Sequence, residues 1–160
     1  MKKYFLSLIF LSSSLAVAQS AIVDISLTPA GSFKVKSTDV RGFAQQLAGD
    51  SVEAKNILVG LKNLQTGISL RDTHTKRHLE VDKYPDAVLV AAKGKGGKGV
   101  GTIKIKGIQK KITGTYKIEG GKLIATFPLK LSEFNINDVK YMGVGVDDEL
   151  KLVVTVPLKK

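Results

Sequence analysis

The sequence predicts an all-β fold: an antiparallel barrel of eight strands with one short helical insert at about residues 70–82. Three observations carry this. Short runs of alternating apolar and polar residues recur along the chain, with turn residues between them. One stretch alone, Thr66 to Pro85, carries convincing helical signals beyond the N-terminal segment. The chain has 160 residues, enough for one domain and not for two.

The N-terminal segment reads as a leader rather than as part of that domain. Lys2 and Lys3 form a positive start, Tyr4 to Leu15 is mostly apolar, and Ala16-Val17-Ala18 fits the small-x-small cleavage rule. A secretory signal peptide over residues 1–18 and a single domain over residues 19–160 are the expected organisation, with cleavage near Ala18 and a periplasmic or secreted destination. No cysteine occurs anywhere in the chain. That excludes disulfides, thiolate metal sites, iron–sulfur clusters and cysteine nucleophiles. A domain of this length can bury a real core without such staples.

The formal charge is +11; removing Lys2 and Lys3, with no acid among residues 1–18, leaves +9. The excess is nearly all lysine, since Arg41, Arg71 and Arg77 are the arginines. Lysine favours solubility and long-range attraction to anionic surfaces, whereas base and phosphate recognition leans on arginine forks. An anionic membrane surface is therefore an expected contact, and a specific nucleic acid is not.

Taken in order, Ala21 to Thr28 is rich in β-branched residues and Pro29-Ala-Gly31 turns it. Phe33-Lys-Val-Lys36 alternates, which puts Phe33 and Val35 on one face. Val40 to Ala44 continues that strand past Gly42, a place for a bulge. After a turn over Ala48 to Ser51, Ile57 to Leu61 forms the third strand, with Ile57, Val59 and Leu61 taken as inward and Gly60 allowing a close approach.

The insert follows. Ser69-x-x-Asp72 matches a capping box, so the helix should start at Leu70. It should end before Tyr84, because Pro85 drives the preceding residue out of the helical region. At 100° per residue Leu70, His74, His78 and Val81 share a sector, with Thr73, Lys76 and Arg77 opposite. The helix is expected to turn this half-apolar, half-imidazole face to the barrel.

Beyond Pro85 the chain is strand to its end. Ala87 to Ala92 is a continuous apolar run, and Lys93 to Gly99 reads as a flexible lysine–glycine loop. Thr102 to Lys106 alternates, directing Ile103 and Ile105 inward; Ile112 to Ile118 does the same for Tyr116. Glu119-Gly-Gly-Lys122 is a hairpin turn. Phe127 and Leu129 belong to the inward face of the next strand, and Leu152 and Val154 to that of the last, with Lys151 and Thr155 behind them. The inward faces are almost wholly apolar. They can line a cavity for one small ligand or fill the barrel outright, and both readings stand at this point.

Candidate chemistry is sparse. His74 and His78 have the i, i+4 spacing of two metal ligands, but Thr75-Lys76-Arg77 between them repels a cation and no third ligand is evident, so no metal is expected. Gly94-Lys-Gly-Gly-Lys-Gly99 lacks the strand-to-helix context and the closing Lys-Ser/Thr of a phosphate loop. No nucleophile constellation stands out, and the chain reads as not an enzyme. Arg71 and His74 are the head-group candidates at a barrel mouth, with pairing of Arg71 to a nearby carboxylate the plainer alternative.

With strands and insert in hand, the chain resembles the YceI-like family of exported bacterial proteins. The resemblance rests on Leu70-Arg71-Asp72-Thr73-His74, then Leu79 to Asp82, then Lys83-Tyr84-Pro85, with Gly101-Thr102, Gly107 and Ile112-Thr113-Gly114 as the following hairpin. It implies a lipocalin-like barrel that binds polyisoprenoid or another long-chain amphiphile, without a cofactor. The partner expected on that basis is an isoprenoid or other lipid; separately from the resemblance, a homodimer is an assembly open to the chain. A basic extracytoplasmic module for nucleic acid or anionic envelope polymer, and a filled structural barrel without ligand, are the alternatives the residues leave open.

Overall fold

A computed structural model of the chain describes residues 18–141 and 143–160. The expected leader, Ala18 apart, lies outside the described residues. The elements are β1 (Ser20–Thr28), β2 (Ser32–Ser37), β3 (Val40–Arg41), β4 (Ala44–Gln46) and β5 (Ser51–Gly60), then helix α1 (Ser69–Leu79). They are followed by β6 (Asp86–Lys95), β7 (Lys98–Ile105), β8 (Ile108–Glu119) and β9 (Lys122–Lys130), a 3-10 turn at Leu131–Phe134, β10 (Lys140–Tyr141), β11 (Val144–Val146) and β12 (Glu149–Lys159).

The sheet closes on itself. Hydrogen-bonded neighbours run β12-β4-β5-β6-β7-β8-β9 and return to β12, a closed barrel of seven strands with further strands and one helix attached. The expected count of eight therefore needs correction, for two physical reasons. The stretch taken as one strand over residues 33–44 is broken into β2, β3 and β4. It bends at Gly42, whose φ of +128° suits glycine and whose missing Cβ leaves room for the Ile57 backbone and side chain. In addition, β1 pairs with β12 over Ser20–Asp24 on the edge that β4 takes at Leu158 and Lys159. The β1–β2 hairpin thus widens the wall at one end instead of standing as a full stave.

Pairing is antiparallel throughout this circuit except for the short β4–β12 contact. Two-residue pleating then decides what faces in. Along β12, Leu150, Leu152 and Val156 are buried while Lys151 is exposed. Burial of these rows in three contiguous apolar clusters fixes the register, since a slip of one residue would turn each row outward.

The glycine–lysine stretch is a tight hairpin, not a flexible loop. β6 runs to Lys95, β7 starts at Lys98, and Gly96 and Gly97 make the turn with φ of +59° and +79°. A two-residue turn with both central φ positive matches the right-handed twist of the flanking strands. At the other end of the barrel, residues 61–85 connect β5 to β6 and carry α1, and Leu61 N–H donates to Pro85 O at 2.8 Å across the base of the connection. Gly60 admits the close approach expected of it: its N–H donates to Asp39 O at 2.7 Å, and the Asp39 side chain occupies the space a Cβ would need.

The helix begins one residue before the expected start and stops three before the expected end. Its N-cap is Ile68, which supplies no side-chain bond. The capping-box reading of Ser69 is thus replaced by a different device. The Asp72 carboxylate accepts from the Thr66 amide at 2.7 Å and the Thr66 hydroxyl at 2.6 Å, tying the first turn back to the strand exit. The helix ends where Glu80 enters the left-handed region at φ 51°, with Glu80 N–H donating to Arg77 O and Val81 N–H to Lys76 O. Pro85 is therefore not what stops it.

Candidate functional site

The barrel is not filled. Its interior holds a cavity of about 530 Å3 whose wall is almost wholly apolar. Every strand row assigned inward from alternation reaches this wall. Phe33 and Val35 come from β2, Ile57 and Val59 from β5 and Leu61 from just beyond it. Ile103 and Ile105 come from β7, Tyr116 from β8, Phe127 and Leu129 from β9, and Leu152 and Val154 from β12. The head-group candidates Arg71 and His74 line it as well.

At one end a row of glycines enters the wall. Gly94 of β6 lies opposite Gly99 of β7, which lies opposite Gly114 of β8, and Gly101 sits two residues further along β7. All four line the cavity. A Cβ on Gly101 would stand 2.8 Å from the Ala91 carbonyl oxygen, and one on Gly114 would stand 2.7 Å from Phe127 Cβ as well as against the Thr126 carbonyl. The glycines let neighbouring strands and the Tyr116 ring, which lies against Gly94, approach closely. The sequence does show this row: Gly99 and Gly101 share the parity of Ile103 and Ile105, and Gly114 that of Ile112 and Tyr116. The expected loop over Lys93 to Gly99 hides it, because that reading separates Gly94 and Gly99 from Gly101 and Gly114 in the strands.

The other end is roofed by α1. The residues it gives to the cavity are Arg71, His74, Thr75, His78 and Leu79, an i, i+3, i+4, i+7, i+8 stripe. The expected face of Leu70, His74, His78 and Val81 is corrected on this point. Leu70 is 50% exposed on the far side, and Val81 is buried but lies past the end of the helix. Anchoring the stripe on the apolar Leu70 rotated it; the in-phase residue is Arg71. None of the helix's own residues is fully buried, so α1 is held by its partial contacts, by the Asp72–Thr66 link and by Leu79 packing against the buried cluster that includes Leu61, Leu64 and Val81.

Arg71 stacks over the Phe33 ring, 4.1 Å from its centroid, rather than pairing with a carboxylate. The contact holds the guanidinium against the Phe33 side of the wall. Burial pushes the His78 pKa below its usual range, and the positive fields of His74, Lys106 and Arg77 act in the same direction. His78 is therefore a neutral imidazole at neutral pH, able to donate and to accept a hydrogen bond. Asp72 is held below the usual carboxylate range, first by the Thr66 hydroxyl and then by the Thr66 amide, Lys76 and Arg71. The histidine pair stands on one helix face, and no group of three metal-ligating side chains forms among the described residues.

A closed antiparallel barrel, hollow and apolar within and capped by a helix that contributes polar side chains, defines a lipocalin-like binding fold. The model of the YceI-like domain matches residues 12–158, and the chain belongs to the YceI-like family. Among solved structures it is similar to Burkholderia cenocepacia BcnA, with 15% identity and a TM-score of 0.64, covering 85% of this chain and 94% of that one. It is also similar to a mutant CJ YCEI protein with a monobromobimane guest, with 16% identity and a TM-score of 0.60 over 98% of this chain and 96% of that one. A polyisoprenoid binding domain from Saccharophagus degradans, implicated in plant cell wall breakdown, has 9% identity and a TM-score of 0.57 over 86% and 91%. At these identities the likeness speaks to the fold. No curated protein matches the chain.

Proposed function

We propose that the chain is an exported binding protein that sequesters or carries a long-chain amphiphile, polyisoprenoid or quinone-like, and that it acts by binding rather than by catalysis. The observation that carries this reading is the apolar cavity of about 530 Å3 inside the closed barrel. That volume lies in the range of ligand-binding pockets, and each methylene buried there contributes roughly 0.8 kcal/mol. The tail would lie along Ile103, Phe127 and Leu152 toward the glycine row. The polar head would lie beside Arg71, His74 and His78, where the wall offers charge and hydrogen bonds. The resemblance to a polyisoprenoid binding domain is consistent with such a ligand. The Ala16-Val17-Ala18 site supports export to the periplasm or beyond.

Native mass spectrometry of the purified protein tests the reading. The expected result is an extra mass retained on the folded chain and removed by extraction into organic solvent. A protein that carries none, and that also takes up none from an added isoprenoid dispersion, would contradict it.

A further inference from the structure

The helix that roofs the cavity has a second face, and that face is apolar at the wrong place for a protein in water. Ile68 is 51% exposed and Leu70 50% exposed, two residues apart at the start of α1. Leu70, Thr73 and Arg77 form one outward strip, and all three are exposed. Directly behind them, Arg71, His74, Thr75 and His78 line the lumen. A single layer of helix thus separates the cavity from this apolar pair.

The charges around the pair have one sign available. Lys36, which bridges to Gln65, and Arg77, on the same strip as Leu70, are exposed. None of the ion pairs among the described residues engages either. The acid of the first helical turn, Asp72, is turned back to Thr66, and Glu80 and Asp82 lie beyond the last helical turn. Two exposed aliphatic side chains flanked by unpaired cations have the make-up of a shallow bilayer contact: apolar tips enter the acyl boundary and cations meet lipid phosphates.

Resting on the carrier reading, we propose that Ile68 and Leu70, with Arg77, form the surface by which the protein docks on an anionic lipid bilayer. The docking places α1 and the cavity behind it against the membrane, so that an amphiphile crosses between bilayer and barrel without passing through bulk water. The weak seating of the helix suits such a place: none of its residues is fully buried, and it is entered through Gly67, which has open space around it at φ +86°.

The test is flotation with vesicles of phosphatidylglycerol and phosphatidylethanolamine, run beside binding of the apolar fluorophore N-phenylnaphthylamine without vesicles. The full mature chain should float. The Ile68→Ser, Leu70→Ser double variant should partition at least about tenfold less, with unchanged melting and unchanged fluorophore binding. Wild-type protein that stays unbound, or a double variant that floats equally well, overturns the proposal. Should the double variant fold poorly, Arg77→Glu decides alone: its side chain is exposed, and flotation undiminished by charge reversal is evidence against the surface. Failure of wild-type protein to take up the fluorophore counts against the carrier reading, and flotation still judges the contact.

Discussion

Asp72 shows how much one side chain does for the site. Its carboxylate receives both polar hydrogens of Thr66 and so fixes the first turn of α1, from which Arg71 and His74 reach the lumen. Asp72→Ala is expected to lower stability by about 1 kcal/mol and to loosen α1, read as faster amide exchange confined to residues 69–79. The pH dependence follows from the depressed pKa. The ionised link contributes fully above the ordinary value of 3.8 and is lost as pH falls through the lower folded value, because the unfolded chain then binds the proton first. The stability gap between wild type and Asp72→Asn should therefore narrow on acidification below 3.8, and a gap independent of pH would remove this role. The capping-box pattern singles out Asp72, although the carboxylate ties the helix to the preceding segment and does not cap it. The sequence did not show that the donor is Thr66, six residues back, because Ser69 offered the more familiar pattern.

At the scale of elements, the strands were legible and the helix was legible only in part. Alternation along β7, β9 and β12 is strict, and each row is apolar on one parity, so the inward faces follow from pleat alone. The helix has no such contrast, since its lumen side is polar and its outer side carries Leu70; with period 3.6 and no clean apolar stripe, the rotation could not be set. The expectation of strand from Pro85 to the end of the chain fails at Leu131–Phe134. The 3-10 turn there buries Phe134 to 1% exposure by tertiary contact with β7, β9 and β12, a packing that leaves no local period. The glycine row gives a sharp test of whether bare backbone is required. Gly114→Ala should cost about 1–3 kcal/mol, since its Cβ would meet the Thr126 carbonyl and Phe127. Gly145→Ala, with nothing within 4 Å and no left-handed φ, should change stability by less than about 0.5 kcal/mol. Equal urea midpoints for the two variants would mean that the close strand approach at Gly114 has no energetic consequence.

For the molecule as a whole, a hollow core carries a thermodynamic signature. Wall residues facing empty space forgo contacts that a filled barrel would make, so a ligand supplies packing the chain itself lacks. Binding to the folded state alone then raises stability by mass action, about 2.7 kcal/mol at a hundredfold excess over Kd. For a domain of this size that is a rise in Tm of roughly 5–10 °C. Protein stripped of its lipid should melt lower by this amount and recover on adding a long-chain isoprenoid, with shorter chains giving less because fewer methylenes are buried. The outer surface allows a control. Lys95, Lys98, Lys104 and Lys111 are exposed on the outward parity of β6, β7 and β8, away from the lumen. Stabilisation by an anionic polymer on that face would fall steeply as salt rises, whereas stabilisation from the apolar lumen would persist. A melting shift that survives salt and scales with chain length locates binding inside the barrel; one that vanishes with salt would move the function to the lysine face.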